Sequence, residues 1–523
     1  MRTVDPALWS KALIRKKKIG SRQRTIRRYG VFEGRVRASF CDAFREYVRH
    51  STAPGLRYIV DIDARAPVRC CYSILMLCLV AWGTSAVIYV SVEYQNQAPL
   101  QIDFRGRTHD MGVAFPAVAI CSNTLINKAA LDAYTDYLNS KNKNKTFTRK
   151  MIRSQLESFG NLLTLISPLP DMDFMRFIYD KDPDFNVTKY MYDFSPKCSQ
   201  MLVRCGWRGY AVQCSSLFAE RPTSLGFCCV FNSRYHPADL KNQPHTLNLA
   251  GENKGLIVLV TENPNDAAIS RRVIEGFDVL IFDGMQYPLL QSGLVRLLPV
   301  NRNESVFFPI HTHIQRPTDR LLEYNENLRR CGLNNRDGPR NERSSFAWCL
   351  IKCHRRTIAA LCNCLPYNLM PGASDTTCTP EHLACLTKHK DKLLYYYPGK
   401  STHPHLTKEL QDSQKCTKCV PDCTRDQYTT VPYRTNPYFT KKLWSTTFTS
   451  AVSFENTSVL RFYYETVYHE VYDVGINVEV FEKFAKISCM VRLLVGVTLI
   501  SVLEILFFLT IRWGYHFWRR SCL

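Results

Sequence analysis

Apolar residues are distributed along this chain in two unlike ways. From Cys70 to Val92, "CCYSILMLCLVAWGTSAVIYVSV", 23 residues pass without an acid or a base. At about 1.5 Å per residue, such a run crosses a hydrocarbon core of roughly 30 Å as a single helix. A second run, Ile487 to Ile511, is of similar length but holds Arg492 and Glu504. Between the two, apolar positions come only in short groups. "GVAFPAVAICSN" (112–123) and "GLIVLVTE" (255–262) predict buried strands, being short, apolar and partly β-branched. "TRKMIRSQLESFGNLLTLI" (148–166) and "SSFAWCLIKCHRRTIAALCNC" (344–364) predict helices, the second with Cys349 and Cys353 four apart on one face. The pattern as a whole predicts a membrane protein of α+β class, with two transmembrane helices flanking a large α/β domain.

The expected organisation is a basic N-terminal tail (1–69), a first span (70–92), an extracellular domain (93–486), a second span (487–511) and a short C-terminal tail (512–523). The first apolar run begins some 70 residues in and is too long for the apolar core of a signal peptide, so the N-terminus is expected to be retained. Charge then orients the chain. Residues 1–69 carry 17 Lys and Arg against 6 Asp and Glu, and the C-terminal tail adds Arg512, Arg519 and Arg520. A Lys/Arg excess beside a span keeps that side cytoplasmic, so both termini are expected inside a plasma-membrane protein. About half of the net charge of +22 is therefore the topology signal itself. It is no argument for nucleic acid; the basic tail suits anionic lipid headgroups.

Two further features point to an extracellular middle. Sixteen of the 22 cysteines lie there: Cys121, Cys198, Cys205, Cys214, Cys228, Cys229, Cys331, Cys349, Cys353, Cys362, Cys364, Cys378, Cys385, Cys416, Cys419 and Cys423. The even number suits up to eight disulfides in an oxidising compartment, with connectivity left open. All four N-x-Ser/Thr sequons, at Asn144, Asn186, Asn303 and Asn456, fall in the same segment. Cys416 and Cys419 also have zinc-finger spacing, but outside the cell thiolates oxidise, and disulfide is the expectation. His311 and His313 share one face of a strand and are read as surface histidines on an edge strand rather than as metal ligands or a pH sensor. No nucleophile elbow, phosphate loop or H-E-x-x-H motif occurs, so neither an enzyme, a cofactor nor a bound metal is expected.

The second span carries the chemistry. An ionisable residue inside a span costs about 2.5–3.5 kcal/mol on insertion scales and usually faces a bundle interior or a water path. Thr498, Ser501 and Glu504 recur at intervals of three and form a slowly drifting polar stripe on a helix. Gly496 just before it permits close helix approach or a local break. Two helices cannot enclose a pore, so the stripe implies a ring of subunits with the second span inside and the first toward lipid. Carboxylates and hydroxyls lining such a ring favour cations.

Taken together, "FPAVAICSN" (115–123), "GFCCVFN" (226–232), "CNCLPY" (362–367), "CTKCVPDC" (416–423) and "GVTLISVLE" (496–504), in this order between two spans, resemble the epithelial sodium channel/degenerin superfamily and, within it, the insect pickpocket subunits. The resemblance implies a homo- or heterotrimer built with other family members, a disulfide-rich ectodomain likened to a clenched hand, and an amiloride-sensitive pore with sodium as permeant ion. It places the selectivity tract on Gly496, Val497 and Thr498, followed by Ser501 and Glu504. Thr498 stands where the family has Ser and keeps the hydroxyl. Gly55 survives from a cytoplasmic His-Gly gating pair, with Pro54 in the histidine position. Ala485 falls at the small-residue position where bulkier side chains hold degenerins open. Arg492 falls at an outer-pore position tied to amiloride block; on a continuous helix it lies about 120° around from Thr498. Three such guanidiniums in a homotrimer repel cations, so a heteromer is expected. The competing readings are a nonconducting auxiliary subunit, a two-span receptor or binding protein, and a two-span channel of the ATP-gated type.

Overall fold

The computed structural model describes residues 32–52, 65–96, 100–108, 114–143, 145–165, 172–272, 275–325, 329–333, 345–372, 374–394, 396, 413–435, 456–476, 480–496 and 498–522. The chain divides into two compact units, Leu100–Ile476 and a second made of Met1–Pro99 with Asn477–Leu523.

The larger unit is organised by a five-stranded antiparallel sheet in the order Arg296–Asn301, Gly276–Phe282, Ala117–Ser122, Gly226–Phe231, Phe218–Thr223. All six residues of Ala117–Ser122 are buried. Alternation explains why the run is apolar throughout: successive side chains point to opposite faces, and here both faces are covered. Ala117, Ala119 and Cys121 enter one hydrophobic cluster, while Val118 and Ile120 enter another. The partner strand divides the same way, with Cys228 and Val230 in the first cluster and Cys229 and Phe231 in the second. The neighbouring cysteines therefore crosslink in opposite directions, Cys228 to Cys121 and Cys229 to Cys198.

A nine-stranded mixed sheet is built on the 13-residue strand Ser305–Pro317. That strand runs parallel to Thr457–Tyr464 and to His469–Ile476, and antiparallel to Arg425–Thr430 and Tyr433–Thr435. It is interior, which corrects the reading of His311 and His313 as edge residues. His311 is paired with Glu465, and His313 Nδ1 lies 3.1 Å from a Glu470 carboxylate oxygen while its Nε2 is 3.1 Å from the Thr429 hydroxyl. Sequence spacing could not show this, because the partners lie more than 100 residues downstream.

The two predicted strands are present as Ala117–Ser122 and Leu256–Thr261. The predicted helix 344–364 is Phe346–Cys362, started by the Ser345 hydroxyl, which accepts from the Trp348 amide, and ended by Asn363 in the left-handed region. The predicted helix 148–166 is shorter. Arg149–Glu157 gives way to a 3-10 turn, Ser158–Gly160, and a last turn, Asn161–Thr164. Gly160 marks the reason: a Cβ there would stand 3.3 Å from Ile269, so the chain tightens where another strand passes close by.

The 16 cysteines of the larger unit form eight disulfides, which close the connectivity the sequence leaves open. Besides the two above they are Cys205–Cys214, Cys331–Cys423, Cys349–Cys419, Cys353–Cys416, Cys362–Cys385 and Cys364–Cys378. Cys416 and Cys419 are thus rungs of a ladder on one helix face, not zinc ligands. Of the sequons, Asn186 is exposed as a helix N-cap whose side-chain oxygen accepts from the Thr188 and Lys189 amides. Asn303 is exposed at a turn, Asn456 is half-buried, and Asn144 lies outside the described residues.

In the second unit, Ala66–Val92 and Leu499–Cys522 are long and apolar enough to cross a membrane. The first belongs to a 31-residue helix, Ala66–Asn96. Within 487–511 the chain is not one continuous helix, and of the two options Gly496 left open the local break is present: an outer half-helix, Val480–Val495, ends, and an inner helix starts at Leu499. Gly496 has φ +72°, a conformation that side chains disfavour by roughly 1–2 kcal/mol, so the backbone leaves the helix where that cost is lowest. A π-helical stretch, Phe508–Arg512, leads into Trp513–Cys522.

Candidate functional site at the helix break

The break creates a helix N-terminus inside an apolar segment, and its free amides must be satisfied locally. Thr498 is the N-cap. Its hydroxyl accepts from the Ser501 amide at 3.3 Å, and the Ser501 hydroxyl accepts from the Thr498 amide at 3.4 Å, a reciprocal capping box built from two hydroxyl residues. The spacing of three read from the sequence as a stripe is thus first a cap, and Ser501 is buried.

Glu504 lies one turn further on, and its partner comes from the far end of the chain. Thr52, two residues past the helix formed by residues 32–50, donates to Glu504 Oε2 twice, from its amide at 3.0 Å and from its hydroxyl at 3.0 Å. The Thr52 hydroxyl is also 3.2 Å from the Ser501 hydroxyl. Hydrogen bonds to a charged group contribute about 1.5–3 kcal/mol each, so two of them offset the few kcal/mol that a carboxylate costs in a span. Four oxygen-bearing side chains, Thr52, Thr498, Ser501 and Glu504, therefore converge at one level of the second span. Hard oxygen ligands of this kind suit small cations.

The first long helix supports the break from the side. Gly83 faces the end of the outer half-helix, where a Cβ would come within 2.9 Å of Val495. Glycine permits this approach, since any Cβ would have to displace the Val495 methyl.

A second polar cluster anchors the segment that carries Thr52. Glu46, on helix 32–50, accepts from Arg512 Nε at 2.9 Å and lies 2.9 Å from His516 Nε2, while Asp42 pairs with Arg520. The Arg512 guanidinium beside it pulls the Glu46 carboxyl down to about 2, well below the usual carboxylate range, with His516 adding to the effect. Phe32 packs edge-on against Phe517 and Tyr47 against Phe508, adding apolar contact to the ion pairs.

Of the residues expected from sequence, Gly496, Thr498, Ser501 and Glu504 come together. Arg492 and Ala485 sit apart on the outer half-helix, both exposed. The angle between Arg492 and Thr498 expected for a continuous helix does not apply across the break. Val497 and Gly55 lie outside the described residues. Thr52, Gly83 and Glu46 were missed by sequence reasoning. For Thr52 and Glu46 no local signal exists, since their partners lie some 450 residues away; Gly83, alone in an apolar helix, was legible as a packing point.

Two helices apolar enough to cross a membrane, a carboxylate and hydroxyls gathered in the second of them, and a disulfide-bonded domain between them in the sequence are the parts of a membrane channel subunit. The chain belongs to the amiloride-sensitive sodium channel family, whose model matches residues 47–508. It is similar to "Pickpocket protein 28" of Drosophila melanogaster, with 21% identity over 519 residues, 89% of this chain and 78% of the relative. "Sodium channel protein Nach" of the same organism is 21% identical over 383 residues, 68% of each chain, and that of Drosophila ananassae is 21% identical over 357 residues, 66% of this chain and 65% of the relative. Channels of this family assemble from subunits of the family, and the resemblance read from the sequence motifs is borne out.

Proposed function

We propose that this chain is a subunit of a gated, amiloride-sensitive-type sodium channel of the plasma membrane, trimeric, with both termini cytoplasmic. Sodium passes down its gradient when the extracellular domain responds to an outside stimulus. The observation that carries the reading is the convergence of Thr52, Thr498, Ser501 and Glu504 at the break in the second span. A three-fold arrangement of that site surrounds an ion with carboxylate and hydroxyl oxygens. Gly496, Val497 and Thr498 form the selectivity tract, Arg492 and Ala485 the outer pore, and Gly55 belongs to the cytoplasmic gate. Asn144, Asn186, Asn303 and Asn456 carry glycans.

In this reading the Glu504 carboxylate has two states. Held by Thr52, its charge is satisfied within the subunit; released, it is available to a permeating cation. Movement of the segment after helix 32–50 therefore couples directly to the polar site.

Arg492 favours a second reading, a nonconducting auxiliary subunit, because an exposed guanidinium on the outer half-helix opposes cation entry when three copies meet. One experiment separates the two. The chain is recorded in oocytes alone and with sibling subunits, unmutated and as Glu504→Gln and Arg492→Ser, with surface expression measured in parallel. A conducting subunit loses sodium selectivity over potassium by about fivefold or more in Glu504→Gln, corresponding to about 1 kcal/mol. Unchanged permeation in an assembled heteromer sinks the conducting reading.

A further inference from the structure

Thr52 holds Glu504 with a side chain that can itself be modified. Its hydroxyl lies 3.0 Å from Glu504 Oε2 and 3.2 Å from the Ser501 hydroxyl, and its amide donates to the same carboxylate oxygen at 3.0 Å. The amide would be supplied by any residue but proline; the hydroxyl adds a nucleophilic oxygen at the point of contact. Thr52 lies outside regular structure, just past the C-terminus of helix 32–50, and is exposed.

Three residues before it, in the last turn of that helix, Arg49 is exposed and forms no ion pair among the described residues. The acids closest to it along the helix are engaged elsewhere, Glu46 by Arg512 and His516 and Asp42 by Arg520. Arg49-His50-Ser51-Thr52 thus sets an available guanidinium three residues ahead of a hydroxyl, the spacing that basophilic Ser/Thr kinases select by pairing the cation with their own carboxylates. The last turn of a helix frays at little cost, so these four residues can be presented in extended form.

We propose that Thr52 is a phosphorylation site, and that its modification locks this segment off Glu504. The inference rests on the channel reading, which places the N-terminal tail in the cytoplasm with ATP and kinases. In the transfer the Thr52 oxygen attacks the γ-phosphorus of ATP. An O–P bond forms as the bond from that phosphorus to the bridging oxygen breaks, ADP leaves with the electron pair, and the hydroxyl proton passes to the kinase's base. The oxygen that would take the phosphate is the one held by Glu504, so the kinase acts on the released segment. Return is then opposed twice. The hydroxyl donor is gone, and a charge of about −1.5 to −2 would have to sit against the Glu504 carboxylate and the negative end of helix 32–50. Modification therefore traps one of the two states of Glu504 and shifts the population toward it.

The test incubates the full-length chain, purified in detergent, with the catalytic subunit of cAMP-dependent protein kinase and Mg-ATP, and locates phosphate by peptide mass spectrometry. Phosphate is expected on Thr52, with an initial rate that falls about tenfold in Arg49→Ala and recovers in Arg49→Lys. Glu504→Ala removes the restraint on Thr52 and raises that rate about threefold or more, with the milder Glu504→Gln between it and the unmutated chain. Unchanged elution on size exclusion shows that the variants keep their assembly. Phosphate confined to Ser51 or Thr25, equal rates in Arg49→Ala, or an unchanged rate in Glu504→Ala overturns the proposal. In excised patches holding the chain with sibling subunits, kinase and ATP at the cytoplasmic face raise sodium current about threefold, and Arg49→Ala patches respond less than about 1.5-fold. A sodium current that ignores phosphorylated Thr52 overturns the regulatory role. Patches without sodium current sink the channel reading instead, while the rates in detergent still decide whether Glu504 restrains a phosphorylation site.

Discussion

The two units of this protein achieve order by opposite means. In the unit Leu100–Ile476 all 16 cysteines are paired, the strands Ala117–Ser122 and Gly226–Phe231 are covered on both faces, and the helix Phe346–Cys362 is bolted at two successive turns. In the unit that contains the spans, none of Cys41, Cys70, Cys71, Cys78, Cys489 and Cys522 is bonded, although the chain passes through glycine-dependent packing and a helix break. Its tertiary contacts include ion pairs, aromatic contacts, the packing of Gly83 against Val495 and the hydrogen bonds of Thr52. Covalent crosslinks resist rearrangement, whereas hydrogen bonds worth about a kcal/mol each are exchanged at little cost. The unit Leu100–Ile476 is thus held covalently, and the unit that carries the two apolar helices by contacts that exchange.

The contrast breaks first at Gly496. Replacing it by Val puts a β-branched residue at φ +72° and disfavours the break by about 2 kcal/mol or more. Sodium current per surface subunit is expected to fall about tenfold or more, read as whole-cell current normalised to surface biotinylation. Current within twofold of the unmutated chain would mean that the break is not part of the conducting state.

In the rigid unit the comparable manipulation is the ladder. Removing both Cys349–Cys419 and Cys353–Cys416 by serine substitution opens a loop of about 70 residues and costs about 4 kcal/mol. Removing one rung alone costs less, because its neighbour still closes nearly the same loop. Thermal unfolding of the purified ectodomain-containing chain should show a small shift for either single pair and a large one for the double. Two equal single shifts summing to the double would show that the rungs do not share a loop.

The smallest effect is a pH response inside the rigid unit. His354 is buried beside Gln414, its Nδ1 2.9 Å from the amide oxygen, and burial holds its pKa below the ordinary histidine value, against a smaller opposing effect of that hydrogen bond. The unfolded chain therefore takes up a proton first as pH falls below about 6.5, and stability declines with pH until the buried ring also protonates. A fall in stability between pH 7.5 and 5.5 is expected, flattened in His354→Gln. An unchanged pH slope in the variant, measured by thermal unfolding, would assign the effect elsewhere.

Much of the fold was legible because its signals are local. The uncharged 23-residue run, the buried strands at 117–122 and 256–261 and the helix from Phe346 follow from length, periodicity and capping. Glu504 stood out because a carboxylate in an apolar run needs a reason. The helix at 148–166 was read too long because a strand passing Gly160 is invisible in the local pattern, and His311 and His313 were put on an edge because strand order is a long-range property.

The sequence by itself determined where the chain can cross a membrane, which segment is oxidised and crosslinked, and which span carries polar atoms, since each follows from residue type and spacing along a few turns. Tertiary structure alone decided which cysteines pair, that the break Gly496 permits is taken, and that Thr52 satisfies Glu504. The pairings join groups from 9 to 452 residues apart, and their free energy exists only once the chain has brought them within about 3 Å of each other.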